Sequence, residues 1–190
     1  MNTWKRSTNI DWSKEDHHRM YGREWCLGLD HYTFAVAQNL QPHDRLLDLG
    51  CGSGRSGIHF IDYLDKGNYV GVDGSDRSIE AFKSYEVPIN RLGHKEPKII
   101  HQNLVDVPLQ LSGKFDFIFS YSVWNHIRRP DILDKIVDKY LTDNGTLILS
   151  HSDPSTILTE GGCFKLGGTT TTPSVLAKDS ATFWSTYKRK

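Results

Sequence analysis

Leu46-Leu47-Asp48-Leu49-Gly50-Cys51-Gly52-Ser53-Gly54-Arg55 reads as a buried strand that ends in a glycine-dense turn and opens directly into a helix. Glycines at 50, 52 and 54 let the backbone turn sharply and let a ligand approach with no Cβ in the way. The first amides of the following helix point into the same space. Such a turn is built to carry a bulky, polar cofactor.

Three ligand types compete for it. A phosphate-cradling P-loop ends in Gly-Lys-Ser or Gly-Lys-Thr, whereas Gly54 is followed by Arg55-Ser56, so that reading fails. A dinucleotide site fits better, because residues 52–57 spell GxGxxG and Asp73 follows at the distance of a ribose-binding acid. Asp48, two positions before Gly50, weighs against it. A pyrophosphate at a helix N-terminus is an anion and gains nothing from a neighbouring carboxylate. Asp48 therefore argues for a cationic ligand; its alternative role is to hydrogen-bond the amides of the turn.

With Asp48 included, the stretch is D-x-G-x-G-x-G, and it resembles the first motif of class I S-adenosylmethionine methyltransferases. FDFIFSYSVWNHI, residues 115–127, resembles the fourth motif of small bacterial members, FD-x-x-x-x-SV-x-x-HL. The likeness covers residues from about 40 to 150, and HHRMYGREW (17–25) is similar to the lead-in of a subgroup. It implies an α/β fold, a Rossmann-like doubly wound and mostly parallel seven-stranded sheet with a C-terminal antiparallel hairpin. It also implies S-adenosylmethionine as cofactor, whose α-ammonium and sulfonium suit Asp48.

Bulk composition bounds the rest. The 190 residues suit one domain, with a lid or helical lead-in over residues 1–40 and a cofactor-binding core over 41–190. Twenty-three basic residues balance 23 acidic ones, against the surplus of Lys and Arg that nucleic-acid binding requires. No run approaches the roughly 18 apolar residues of a membrane span, and no apolar signal region follows the N-terminus. Cys26, Cys51 and Cys163 are odd in number and lack metal-type spacing, as in a reduced cytoplasmic enzyme. Nothing in the sequence indicates an oligomeric state.

Hydrophobic periodicity places the elements. Ile58, Phe60, Ile61 and Leu64 mark a helix face; residues 68–72 form a second strand, and a helix over 76–84 is capped by Ser75 or Asp76. Strands follow at 98–101 and 115–120, then a helix with Ile132, Leu133, Ile136, Val137, Tyr140 and Leu141 on one stripe. Asp143-Asn144-Gly145 is a turn before a strand over 146–150. Alternating strand and helix predict a parallel sheet covered on both faces. Segments 161–168 and 181–187 supply the closing hairpin, with a loop over 167–173.

In such a sheet the ligand lies beyond the carboxyl ends of the strands. By the resemblance, Asp73 accepts both ribose hydroxyls, as a carboxylate can, while Gly74 and Ser75 flank adenine and ribose; the alternative for Asp73 is a helix-capping or turn acid. Asn103 and Leu104 contact the adenine, and Gly50, Cys51, Gly52, Gly54 and Ser120 complete the cofactor site. Cys51 is a small residue accepted where bulk is not, rather than a nucleophile. As a lid over the cofactor, the lead-in brings Tyr21 or Arg23 to the cofactor's carboxylate; its alternative is a solvated surface helix.

His126 is the candidate general base, since histidine exchanges protons near neutral pH; it alternatively braces the following helix. Tyr121, Trp124 and Asn125 wall the acceptor pocket; for Trp124 the equal alternative is a place in the core. No N/D-P-P-Y/F motif follows the fourth strand, against methylation of DNA amino groups. Trp124-Asn125 stand where magnesium-binding acids occur in other branches, so no metal is expected in the reaction. With no further domain in view after the hairpin, the expected activity is metal-independent O- or N-methylation of a small-molecule, sugar or lipid-linked acceptor. The alternatives are a cofactor-binding protein that transfers no methyl group, and an NAD-dependent oxidoreductase.

Overall fold

A computed structural model describes residues 15–19, 24–127, 129–151, 162–173 and 181–190. All four residues of β1 (Leu46–Leu49) are buried in the interior of a seven-stranded sheet. Parallel β2 (Tyr69–Asp73) and β4 (Phe115–Ser120) flank it. β3 (Lys98–His101) extends the parallel sheet beyond β2, and β5 (Leu141–His151) beyond β4. β6 (Phe164–Pro173) and β7 (Ala181–Arg189) close it antiparallel, in the order β3-β2-β1-β4-β5-β7-β6. This is the Rossmann-like architecture the sequence predicts.

Alternation along each strand sorts side chains between two layers. Leu47, Leu49, Val70, Val72, Ile118 and Leu147 pack with Ile132, Leu133, Ile136 and Val137 of α6 (Pro130–Tyr140). Leu46, Tyr69, Phe117, Phe119 and Ile148 pack with Phe34 and Ala35 of α1 (Leu27–Ala37) and with Phe60 and Ile61 of α2 (Gly57–Tyr63). A sheet apolar on both faces must be covered on both, which is why near-continuous runs such as FDFIFS become central strands. α6 opens on Pro130, whose missing N–H has no helical partner to lose there.

Three local expectations change. Ser75 does cap the helix after β2, its Oγ accepting from Ser78 N–H at 3.3 Å. That helix outruns residue 84: α3 (Asp76–Ala81) continues as a π turn (Phe82–Glu86) and α4 (Val87–Ile89). Pro88 does not stop it, because it falls in the first turn of α4, where proline is tolerated. Asp143-Asn144-Gly145 lies inside β5, as an irregularity. Phe115 pairs with Leu141 and Phe117 with Thr146, so the turn residues bulge out of the ladder. The threonine tract expected in a loop belongs to β6. Threonine is β-branched and suits a strand, and Thr172 Oγ1 accepts a 2.8 Å hydrogen bond from Trp184 Nε1 on β7.

Candidate active site

The strand order reverses between β1 and β4, and crossovers leaving this pair in opposite directions open a crevice at the strands' carboxyl ends. A cavity of about 660 Å³ fills it. The glycine turn forms one wall, with Gly50, Gly52 and Gly54 at φ of 77°, 55° and 94°. A Cβ at Gly50 would overlap a methyl group of Val123, so the loop after β4 closes directly onto this turn. Gly50 N–H donates to the Val72 carbonyl at 2.7 Å, tying the turn to the end of β2.

Asp48 lines the cavity yet is only 2% exposed. Its Oδ2 accepts from the Tyr69 hydroxyl at 2.8 Å across the β1–β2 ladder. Among the described residues no Lys, Arg or His pairs with it. Burial pushes its carboxyl up to about 7; the Tyr69 hydroxyl opposes the shift, and the nearby Asp73 charge adds to it. Its bond runs to a tyrosine on the next strand rather than to the amides of the turn.

Asp73, at the end of β2, is engaged on both oxygens. Oδ2 accepts from Gly52 N–H at 2.9 Å and Oδ1 from Ser75 N–H at 2.8 Å, so one carboxylate joins the two loops. Burial raises its pKa, and these two amides oppose the rise. Each carboxylate oxygen keeps a second lone pair for a ligand. Asn103 and Leu104, after β3, line the cavity beside Gly74.

The opposite wall is the stretch after β4. Ser122 adopts a left-handed φ of 57° and donates its N–H to Ser150 Oγ at 2.7 Å, which carries Tyr121 and Val123 across the cavity. The Tyr121 ring lies against the buried His31 ring, centroids 3.8 Å apart. His31 Nδ1 sits 2.7 Å from Ser56 Oγ, and burial, with the Arg55 and His59 charges, holds its pKa well below the usual value. His126, on α5 (Trp124–Ile127), is exposed and lines the cavity.

Of the residues anticipated from sequence, Asp48, Gly50, Cys51, Gly52, Asp73, Gly74, Asn103, Leu104, Tyr121 and His126 line one cavity. Gly54 and Ser75 do not; they shape the turn and cap α3. Ser120 is also turned away, its hydroxyl donating to the Leu49 carbonyl at 2.8 Å. Of the two places open to Trp124, the acceptor wall and the core, it takes the core, where an apolar ring loses water-exposed area. Tyr21 and Arg23 lie outside the described residues, as does the Asn125 side chain. Cys51 is buried beside Asp48 and Asp73, and its thiol pKa is raised, first by burial and then by those charges. An inert thiol follows.

Sequence reasoning missed Ser53, Arg55, Ser56, Ser122, Val123 and Ile127. The first three sit inside the quoted motif, so their positions alone would have pointed to them. The last three sit inside FDFIFSYSVWNHI, and which side chains of that motif face the cavity depends on where the post-β4 loop folds.

The residues fit S-adenosylmethionine. Asp48 is a buried carboxylate lining the cavity, and among the described residues no Lys, Arg or His pairs with it; a buried charge requires a partner. The ammonium and sulfonium of that cofactor supply the needed sign, and a pyrophosphate does not.

Asp48 also makes a stability prediction. Its folded-state pKa lies above the ordinary carboxylate value, so the folded protein holds a proton that the unfolded chain releases. The contribution of Asp48 to stability is then greatest below about pH 4, falls as pH rises toward 7, and levels beyond. Asp48→Asn should remove this loss, stabilising the ligand-free protein at pH 8 by on the order of 2–4 kcal/mol. Urea unfolding of both proteins from pH 5 to 8 measures the difference and cancels contributions from other groups, His31 included. Parallel curves would reject the assignment.

Residues 40–176 match the model of a methyltransferase domain family. An uncharacterized protein of Haemophilus influenzae is 34% identical over 118 residues, 59% of this chain and 43% of that protein. The chain spans less than half the length of the curated relatives it matches. Magnesium protoporphyrin IX methyltransferase of Synechocystis PCC 6803, crystallised with S-adenosylmethionine, superposes with a TM-score of 0.66. The match covers 97% of this chain and 100% of that one at 17% identity. Ribosomal protein L11 methylase of Lactobacillus delbrueckii subsp. bulgaricus gives a TM-score of 0.60 at 17% identity, over 89% and 81% of the two chains. At these identities the structural likeness is one of fold.

Proposed function

The chain belongs to this methyltransferase family, and from that premise we propose that it methylates an oxygen or nitrogen of a small-molecule, sugar or lipid-linked acceptor without a metal in the reaction. Its cofactor is S-adenosylmethionine. The observation that carries the reading is Asp48: a buried carboxylate that lines the cavity and has no cation paired to it among the described residues.

When bound, the cofactor supplies a methyl group already activated on a sulfonium. The chain's own residues then have to bind, orient and exclude water. Asp48 takes the cationic end. Asp73 receives the ribose hydroxyls on its remaining lone pairs, with Gly74 beside them, and Asn103 and Leu104 hold the adenine. Tyr121, Val123 and Ile127 form an apolar flank that keeps water from the acceptor. Alignment of this kind can supply several kcal/mol of a transfer barrier. His126 Nδ1 or Nε2 takes the acceptor's proton where the acceptor arrives protonated.

A small acceptor agrees with a cavity inside the usual range of about 300–1,000 Å³ for small-ligand sites and with a zero formal net charge. Metal independence rests on Trp124 and Asn125 standing where acids would bind magnesium. A cytoplasmic setting agrees with Cys26, Cys51 and Cys163 all being free thiols. No helix among the described residues is long and apolar enough to cross a membrane.

Thermal denaturation tests the cofactor. S-adenosylmethionine and S-adenosylhomocysteine should each raise Tm, as any ligand of the native state must, with NAD and ATP shifting it far less. A larger shift with NAD would overturn the site assignment. The acceptor class is tested by S-adenosylhomocysteine release against small molecules, a ribosomal protein and ribosomal RNA. Release with the macromolecules alone would overturn the small-acceptor reading.

A further inference from the structure

His17 and His18, on a short 3₁₀ turn (Asp16–Arg19), converge on Glu86, 69 and 68 residues away. Each Nε2 lies 2.6 Å from the same carboxylate oxygen, Oε1. His17 and Glu86 are buried, with side chains 0% and 2% exposed, and His18 is 18% exposed. We propose that these three side chains hold one divalent transition-metal ion of the zinc class, which fastens the lead-in to the helix beside the glycine turn.

Two imidazoles and one carboxylate are a donor set that zinc favours, at bonds of about 2.0–2.2 Å. The hard cations magnesium and calcium prefer oxygen ligands throughout. An ordinary imidazole–carboxylate pair needs one histidine; here two rings bring a nitrogen to one oxygen. The three ligand atoms lie within 4.8 Å of one another. Tetrahedral bonds of that length set ligand atoms about 3.3 Å apart. Entry of the ion therefore spreads each N···O pair by several tenths of an ångström, and partly exposed His18 provides access.

The surroundings hold the ligands in place. Asn90 Nδ2 donates to Glu86 Oε2 at 3.0 Å, which leaves Oε1 to the histidines. His18 stacks on Trp25 with centroids 3.7 Å apart and planes 12° apart. His17 meets Trp25 and Tyr85 edge-on at 5.8 and 5.2 Å. Such outer contacts orient metal ligands and set affinity.

The site is separate from the cavity, since none of its three ligands lines it. It is mechanically linked to it. Glu86 ends the π turn that begins at Phe82, and the Phe82 ring fills the space a Cβ at Gly54 would take. On the other side Trp25 precedes α1, where a Cβ at Gly28 would overlap the Arg55 carbonyl, so the helix lies close against the turn. An ion at Glu86 thus clamps both supports of the glycine turn.

The test uses the full chain without a histidine tag, stripped with chelator and titrated with Co²⁺ and then Zn²⁺. One equivalent of cobalt should bind with the visible bands of low-coordinate Co²⁺, and zinc should displace it and raise Tm. His18→Ala and Glu86→Gln should each weaken zinc binding by more than about 100-fold, exceeding the 10–100-fold typical of an outer-shell loss. Asn90→Ala should fall within that range, and His94→Ala, at an exposed histidine outside the cluster, should change nothing. Should Glu86→Gln not fold, His18→Ala decides the matter, because its side chain is partly exposed. No cobalt bands, or equal zinc affinity in wild type and His18→Ala, would overturn the site whatever the outcome for S-adenosylmethionine.

Discussion

Turnover by His126→Ala protein is expected to fall by about 10²–10⁴-fold, the range spanned by general acid–base catalysis, with Tm and S-adenosylmethionine affinity close to wild type. The imidazole is exposed, lines the cavity and makes no hydrogen bond among the described residues. What steadies this turn is the backbone: His126 N–H donates to the Val123 carbonyl at 2.9 Å, and alanine preserves that bond. A side chain that served only to brace α5 would give the opposite pattern. Tm would drop, and activity per folded molecule would stay near wild type. Measuring Tm, cofactor affinity and turnover on one preparation separates the two, and the second pattern would remove His126 from the reaction.

Asp73→Ala is expected to weaken S-adenosylmethionine binding by well over tenfold and to lower Tm as well. The carboxylate holds the amides of Gly52 and Ser75 while facing the cavity beside Gly74. A hydrogen bond to a charged group contributes roughly 1.5–3 kcal/mol. Loss of the two amide bonds loosens both loops, and loss of the ribose acceptor removes ligand contacts directly. Asp73→Asn keeps one carbonyl oxygen for an amide, so it should recover more of Tm than of affinity. Calorimetric titration and thermal denaturation of both variants test this. A folded Asp73→Ala protein that binds the cofactor with wild-type affinity would place the ribose elsewhere.

The two carboxylates show how far local pattern reaches. That Asp48 ends a strand before a glycine turn follows from neighbouring residues, because φ freedom at glycine and apolar runs act over a few positions. That its partner is Tyr69 follows from the β1–β2 register, which pairs Leu46 with Tyr69 and leaves Asp48 opposite Gly71. Asp73 was legible as a ligand acid, yet its second task of holding Gly52 depends on two strand ends meeting 21 residues apart.

The same division explains the departures. Ser120 and Trp124 belong to a motif that points to a ligand, but the twist of the post-β4 loop at Ser122 decides which side chains face the cavity. The threonine tract reads as a loop because it is polar and follows paired glycines. It becomes a strand because β7 offers it a ladder and a Trp184 donor.

By itself, then, the sequence determined the order of strands and helices, the doubly covered sheet, the glycine turn and the sign of charge beside it. These rest on interactions between residues a few positions apart. Tertiary structure alone decided the bracing of Asp48 by Tyr69, the Asp73 bridge between loops, the seat of Tyr121 against His31, and the meeting of His17 and His18 with Glu86. Each joins segments distant in the chain, and only closure of the sheet and packing of its helices bring such groups within hydrogen-bond or ring-contact reach.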